Sequence, residues 1–308
     1  MIWRKANDSK MTMRSLQWPA LETSAPLAAE FLAARRQASV ACKNSALWQM
    51  VAAKNAVLKV TFLGTRGEIE IRSRRHRRHS ALLVEHKNAR IMIDCGADWL
   101  GRLHTIAPTA IVLTHAHFDH AGGLIHGAPC PVYATRETQR LLKSWPIHDR
   151  RQIALTRAMT IGGVRLKPYR VEHSIRAPAV GYRVSAKAGS FFYLPDVARL
   201  PNAATALRRV RIYIGDGATL RRSMVRTKHG ILIGHASIAT QLEWCADAHV
   251  DRAIFTHCGS AIVRGNARAV ETIVRNLGRG HGIDARLASD GGRLRFCLSP
   301  HAKTNRCT

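Results

Sequence analysis

Between Ile111 and Gly123 the chain reads IVLTHAHFDHAGG, which sets three histidines and an aspartate within six residues, directly after an apolar run. Burying ionisable groups without partners costs several kcal/mol each, so something has to compensate them, and a metal is the first candidate. In a strand, side chains at i and i+2 project to one face, so His115 and His117 at the strand end can reach one ion. Asp119 and His120, adjacent in the following turn, can aim at a second position a few ångström away. The spacing suits two metals rather than one.

The elements that must position these residues follow from hydrophobic period and punctuation. VLKVTFLG from Val57, SALLVEH and ARIMIDCG read as a meander of buried strands, the last ending at Asp94 and Gly96. TAIVLTH is the strand that carries the histidines, and TRETQRLLKSW is a helix opened by Thr135. GGVRLKPYRVEH, AVGYRVSA, SFFYLPDV and RIYIGDG continue as strand-like pieces, the last stopping at Asp216 and Gly217. SIATQLEWCADAHV is then a helix capped by Ser237 that feeds the strand RAIFTHCG. NARAVETIVRNLG repeats the helical signal, with Asn266 as cap and Gly278 at the expected C-terminal glycine position. IDARLASDGGRLRFCL reads as a hairpin turning near Asp290 and Gly291. Strands first and helices interleaved later imply an α+β fold, with sheets covered by helices in layers.

Regular patterning starts abruptly near Val57. Residues 1–50 read as a poorly structured extension with one short helix around Pro26 to Arg36, and Met50 offers an alternative start. Residues 51–308 are then the catalytic domain, long enough for a sizeable core. The formal net charge is +28 and the isoelectric point about 11.2, which points to polyanionic partners, RNA or DNA among them. The extension is not its source: residues 1–50 hold 7 Lys or Arg and 3 acids of the 48 and 20 in the chain, so the remainder keeps a net charge of +24. The seven cysteines are odd in number, scattered and without a CxxC pair, which fits a reducing cytoplasm rather than a disulfide framework. No apolar run approaches the roughly 20 residues needed to span a bilayer, so no membrane is expected. RSRRHRRHS, Arg72 to Ser80, concentrates Arg74, Arg75, Arg77 and Arg78. It reads either as a solvated basic loop or as a grip on a phosphate backbone that weakens with salt.

His115-Ala116-His117-Phe118-Asp119-His120 resembles the HxHxDH signature of the metallo-β-lactamase superfamily, and the resemblance runs from about Val57 to Leu298. It implies a four-layer αββα sandwich with a dinuclear site at its mouth. Within the superfamily the chain is similar to the phosphodiesterase branch that includes tRNase Z and the cyclic-phosphate phosphodiesterases. VEHSIRAPAVGYRV, FFYLPDV and the segment GHASIATQLEWCADAHVDRAIFTHCG carry that similarity. The resemblance implies that His115, His117 and His173 hold one divalent ion, that Asp119, His120 and His257 hold the other, and that Asp196 bridges them. The nitrogen and oxygen donors suit zinc or manganese. Asp94 would steady a ligand imidazole, or simply end its strand. Asp119, Asp216 and His235 are the catalytic candidates, with His235 as general acid and Asp216 orienting it. Two ions about 3.5–4 Å apart can share a hydroxide and clamp a phosphoryl oxygen for in-line attack.

One departure stands out. Asp216-Gly217-Ala218-Thr219 lies where tRNase Z has His-Glu-Ala-Thr, and no long insertion suited to a tRNA elbow is present, which weakens a specific tRNA-processing role but leaves phosphodiester hydrolysis intact. The alternatives are a metal-dependent hydrolase of a lactone, thioester or β-lactam, and a non-catalytic nucleic-acid-binding protein. A homodimer is a further expectation from the resemblance.

Overall fold

A computed structural model describes residues 57–155 and 157–297. The extension over residues 1–50, its short helix and the alternative start at Met50 lie outside the described residues.

Among the described residues, sixteen strands follow in chain order. The first eight are β1 (Val57–Gly64), β2 (Ala81–His86), β3 (Ala89–Ile93), β4 (Ala110–Val112), β5 (Val132–Thr135), β6 (Arg150–Ile153), β7 (Met159–Ile161) and β8 (Val164–Val171). The rest are β9 (Ala179–Ala186), β10 (Gly189–Tyr193), β11 (Ile212–Asp216), β12 (Arg226–Lys228), β13 (Ile231–Ile233), β14 (Arg252–Thr256), β15 (Asp284–Leu287) and β16 (Arg293–Cys297). The helices are α1 (Leu103–Ile106), α2 (Phe118–Ala121), α3 (Arg136–Leu141), α4 (Ala203–Leu207), α5 (Ile238–Asp247), α6 (Ser260–Arg264) and α7 (Ala267–Arg279).

Two seven-stranded mixed sheets result, in the orders β16-β1-β2-β3-β4-β5-β6 and β15-β14-β11-β10-β9-β8-β7, beside the small β12–β13 hairpin. Alternation decides what each face does. In β1, Leu58, Val60 and Phe62 point inward while Lys59 and Thr61 point away, and the inward set meets Leu166, Tyr182, Phe191 and Ile214 of the second sheet. The strands at the middle of the second sheet are buried on both faces: Phe191 and Tyr193 join that central core, whereas Phe192 and Leu194 pack under α5 and α7 with Leu242 and Val274. The outer face of the first sheet is covered by Trp99, Leu103, Leu124 and Leu142. Helix, sheet, sheet, helix is the four-layer order that the sequence resemblance implied.

The cap expectations divide. Thr135 accepts from Thr138 N and Ser237 from Thr240 N, and Asn266 takes the N–H groups of Arg268 and Ala269, as short polar side chains at N-caps do. Gly278, however, is not the terminal glycine of its helix, which runs on to Arg279. A Cβ there would lie 2.4 Å from Ile283 O and 2.5 Å from Ala285 Cβ, so close packing against the following strand demands glycine. The expected hairpin near Asp290 is also overturned. β15 pairs with β14 in the second sheet and β16 with β1 in the first, so the intervening residues cross between sheets. Gly291 does take the left-handed turn conformation, at φ 82°, but Asp290 accepts the backbone N–H groups of Arg77 and Arg78 at 3.0 and 3.1 Å and the Thr65 hydroxyl at 2.7 Å. Local turn chemistry was legible, whereas the choice of pairing partner was made by long-range burial.

Parallel pairing explains where function can sit. β3 and β4 run parallel in the first sheet, and β10, β11 and β14 run parallel in the second. Their C-terminal ends therefore share an edge, which is where loops of α/β sheets gather ligands. Asp94 follows β3, the histidine-rich turn follows β4, and Asp196, Asp216 and His257 follow or end β10, β11 and β14. Tyr182 OH donates to Leu113 O at 2.7 Å and Val180 N to Thr114 O at 3.1 Å, locking the two sheets together beside that edge.

Candidate metal centre

Every side chain assigned to metal by the resemblance arrives at one place. Three overlapping groups have ligand atoms within 4.8 Å of one another: His115, His117, His173 and Asp196; Asp119, His120, Asp196 and His257; and Asp196, Asp216, His235 and His257. Asp196 belongs to all three, as a carboxylate between two ions would. Its Oδ2 lies 3.2 Å from His115 Nε2 and 2.8 Å from His120 Nε2, and its Oδ1 lies 3.0 Å from His257 Nδ1.

The local backbone shows why the sequence folds this way. The expected strand end is corrected: β4 stops at Val112, His115 lies in the loop after it, and His117 is the extended N-cap of α2, whose single turn turns Asp119 and His120 inward and buries them. Gly96 lets that turn press on the loop after β3, since a Cβ there would sit 1.9 Å from Asp119 O. Asp94 and His257 both adopt left-handed backbone, at φ 63° and 53°, a strained conformation that over-determined surroundings sustain at functional sites.

Hydrogen bonds fix which nitrogen faces the centre. Thr114 Oγ1 spends its one proton on Asp94, at 2.9 Å, so its contact with His115 Nδ1 at 3.0 Å must be accepted from the ring, which leaves the Nε2 lone pair facing inward. His120 Nδ1 donates to Asp94 Oδ2 at 2.9 Å, and His173 Nδ1 donates to Gly234 O at 3.1 Å, so both present Nε2. His117 is reversed: Ser174 Oγ meets its Nε2 at 3.2 Å, and its Nδ1 lies 2.9 Å from His115 Nε2 and 3.3 Å from His173 Nε2. With the His117 proton on Nε2 toward Ser174, three lone pairs converge here and repel unless a cation lies among them. His120 Nε2, Asp196 Oδ1 and His257 Nδ1 are buried and lack a hydrogen-bond partner. Native interiors rarely tolerate such orphans, so the donor set fits divalent metal.

The protonation preferences divide between the two groups. Burial, seconded by neighbouring imidazoles, pushes His115 well below its ordinary value and His117 to about 4, and burial lowers His173 too, so these three rings are neutral and able to ligate. Burial opposes charge on His120 and His257 as well, but carboxylates outweigh it: Asp119 and Asp196 lift His120 well above its usual value, and Asp196 with Asp119 lifts His257 to about 10. Burial would raise Asp119 and Asp196, yet their histidine neighbours hold both well below the carboxylate range.

His235 stands at the outer rim of the cluster. Its Nδ1 donates to Asp216 Oδ2 at 2.8 Å and lies 3.6 Å from Asp196 Oδ1. Burial works against its charge, but Asp216 and Asp196 raise it above its ordinary value. Asp216 is itself held by Val197 N at 3.1 Å and Ala218 N at 2.8 Å, while Gln241 bridges its backbone N–H and carbonyl, at 2.9 and 2.8 Å.

Two arginines of the basic loop are engaged away from the centre, while Arg77 is exposed. Arg72 pairs with Asp98 at 2.9 Å, and Arg78 stacks on Trp99 at 4.8 Å. Arg74 and Arg75 line a separate groove with Ile262, Val263 and Val270. The cavity that opens over His117, His173 and His235 is lined instead by Ser174, Arg176, Met224, Arg226 and Lys228. Thr114, Ser174 and Gln241, the residues that hold the site in place, escaped the sequence reading. Thr114 had a signal in its position directly before His115, but Gln241 contacts Asp216 across 25 residues and had none.

Comparison with known proteins agrees with this geometry. Residues 89–258 match the model of the β-lactamase superfamily domain, more than half of the chain. The chain belongs to the metallo-β-lactamase superfamily of metal-dependent hydrolases. A ribonuclease Z of Methanopyrus kandleri is 31% identical over 144 residues, covering 41% of this chain and 50% of that protein. A transcription termination factor of Methanocaldococcus jannaschii is 34% identical over 100 residues, or 28% of this chain and 14% of that protein. The chain thus spans at most half the length of these curated relatives. Among solved structures, the metallo-β-lactamase fold protein YhfI of Bacillus subtilis superposes with a TM-score of 0.61 at 14% identity, over 78% of this chain and 99% of its own. A diphosphatase of the PhnP family gives 0.57 at 21%, over 79% and 99%. The short form of human tRNase Z gives 0.52 at 18%, over 77% and 98%. These superpositions support the fold. Among the described residues, no helix of this superfamily member is long and apolar enough to cross a membrane.

Proposed function

We propose that this superfamily member is a dinuclear metal-dependent phosphodiesterase acting on nucleic acid or a nucleotide-derived phosphodiester. The observation that carries it is Asp196, whose two oxygens reach both histidine groups at once, at 3.2 Å from His115 Nε2 and 3.0 Å from His257 Nδ1. His115, His117 and His173 would hold one ion and Asp119, His120 and His257 the other, with zinc or manganese matching the donors. Divalent ions bound there supply Lewis acidity, lowering the pKa of a water and neutralising charge on the phosphoryl group.

The chain's own groups do the rest. Asp94 and Thr114 hold two imidazoles in the tautomers that ligate. Asp216 keeps His235 protonated, with Nδ1 engaged and Nε2 free to give its proton to the departing alkoxide. Since Asp216 is pinned by two backbone N–H groups, it orients that imidazole, a role which needs no glutamate at the place of Gly217. The basic composition and the ribonuclease Z similarity favour a phosphodiester over a lactone, thioester or β-lactam. The free cysteines Cys95, Cys130, Cys245, Cys258 and Cys297 accord with a reducing cytoplasm, and a homodimer remains part of the reading.

The test couples elemental analysis of the purified protein to turnover of bis(p-nitrophenyl) phosphate, a thioester, a lactone and RNA and DNA oligonucleotides. About two equivalents of divalent metal and diester turnover are expected. Turnover of a thioester or lactone alone would refute the phosphodiesterase reading. Polyanion binding without any turnover or metal would make the protein a non-catalytic nucleic-acid binder.

A further inference from the structure

The β12–β13 hairpin carries no function so far. It projects beside the cavity over His117, His173 and His235, and its strands pair in short register from Arg226↔Ile233 to Lys228↔Ile231. Arg226, Lys228 and His229 are exposed on it, and Arg176, on the loop after His173, faces the same cavity. Among the described residues, Arg176, Arg226 and Lys228 make no ion pair, so their charge is free to meet an anion in the cavity they line. Apolar side chains alternate with these cations: Met224 is 54% exposed and Ile175 38%, and both line the cavity. Exposed aliphatic groups interleaved with unpaired cations, over a cavity of about 680 Å³, suit a ligand that is itself anionic and flat-faced by turns. That volume lies within the range of about 300–1,000 Å³ for ligand sites, so it exceeds what a lone phosphate fills.

From this juxtaposition we infer that the β12–β13 hairpin and Arg176 grip the sugar-phosphate chain of a single-stranded nucleic acid beside the phosphate to be cleaved. The inference rests on the phosphodiesterase reading for its purpose, and it moves the grip from the arginine loop to the hairpin. The cations bind phosphates, while Met224 and Ile175 offer apolar surface to unstacked bases, which a duplex keeps stacked within itself. A concave site of this size admits a strand more readily than a double helix.

Equilibrium binding of a short, fluorescent, cleavage-resistant 2′-O-methyl RNA oligonucleotide to the full chain tests it, with salt varied. Removing one cation that neutralises a phosphate of a single strand should reduce the slope of log affinity against log salt by about 0.7. The triple variant Arg176→Ala, Arg226→Ala, Lys228→Ala should bind about tenfold or more weakly at physiological salt, with a slope shallower by about 2. The single variants Arg176→Ala and Lys228→Ala should each take about a third of that, which keeps the test intact if the triple variant melts early. Tighter binding of a duplex of the same sequence would overturn the inference. So would a slope that falls in Arg74→Ala/Arg75→Ala but not in the hairpin variants. Binding requires no turnover, so a chain that grips RNA through the hairpin yet cleaves no diester would refute the phosphodiesterase reading alone.

Discussion

Two regions of this molecule bury histidines, and their fates differ. In the loop from Thr65 to Ser80, His76 Nδ1 meets Thr65 Oγ1 at 2.8 Å, and His79 Nε2 accepts from the Arg66 guanidinium at 2.8 Å. Asp98 and Asp290 then bind the backbone and side chains around them. His79 Nδ1 alone of these ring nitrogens is buried without a hydrogen-bond partner, whereas in the candidate metal centre histidines crowd against one another and open atoms of His120, His257 and Asp196 converge. The contrast teaches that a buried histidine is not informative by itself. What marks a site is the convergence of several such open atoms from separate strands on one point, where a single isolated orphan does not.

The sharpest break between the two regions should come from paired substitutions. Asp119→Ala removes one carboxylate from the centre, and diester hydrolysis should fall about a hundred- to a thousandfold, with less loss of stability than Asp98→Ala brings because Asp94 and Asp196 still face His120 and His257. Equal activity in the variant would dissolve the distinction. Asp98→Ala should do the reverse. It strands Arg66, whose side chain is only 3% exposed, and breaking a buried pair in this way costs about 3–5 kcal/mol of stability, readable as a lower urea midpoint at unchanged slope. An Asp98 variant as stable as the parent would mean that the loop is not a structural ion-pair network.

A smaller effect separates ligands from their supports. Asp94→Asn still fills the space beside Thr114 but holds the His120 ring less firmly, so metal affinity should drop about 10- to 100-fold with turnover recovered at high metal. Turnover lost at every metal concentration would place Asp94 in the chemistry itself.

The smallest is a pH effect confined to the loop. Burial, seconded by Arg75, holds His76 at about 4, whereas an unfolded histidine titrates near 6.5. The folded value is depressed, so in this window the unfolded chain binds more protons and stability rises with pH. The contribution of a neutral His76 is therefore complete above about 6.5 and is lost as pH falls toward 4. His76→Gln should flatten that loss by about 2 kcal/mol between these limits, followed by urea unfolding. An unchanged profile would show that His76 is not what resists acid here.

Charge density follows the same lesson as histidine burial. Arg72 to Ser80 is the most basic stretch by eye, yet Arg72 and Arg78 are occupied by Asp98 and Trp99 and the loop backbone is capped by Asp290. The sparser Arg176, Arg226 and Lys228 face the cavity over His117, His173 and His235. A run of like charge in sequence says nothing about which charges fold against acids, because those acids lie 19 to 213 residues away, as Asp98 and Asp290 do.

What the sequence determined by itself was whatever depends on near neighbours. Strand period, the caps at Thr135, Ser237 and Asn266, and the clustering of the candidate ligands His115, His117, Asp119 and His120 were all legible, since the short loop after β4 and one helical turn keep near neighbours together. His173, Asp196, Asp216, His235 and His257 were legible only through a resemblance, because no local rule links residues on different strands. The tertiary structure alone decided that β15 and β16 part into different sheets, that Gly278 serves packing, and that Thr114, Ser174 and Gln241 hold the site. Those outcomes depend on burial and hydrogen-bond satisfaction summed across both sheets, which a window along the chain does not contain.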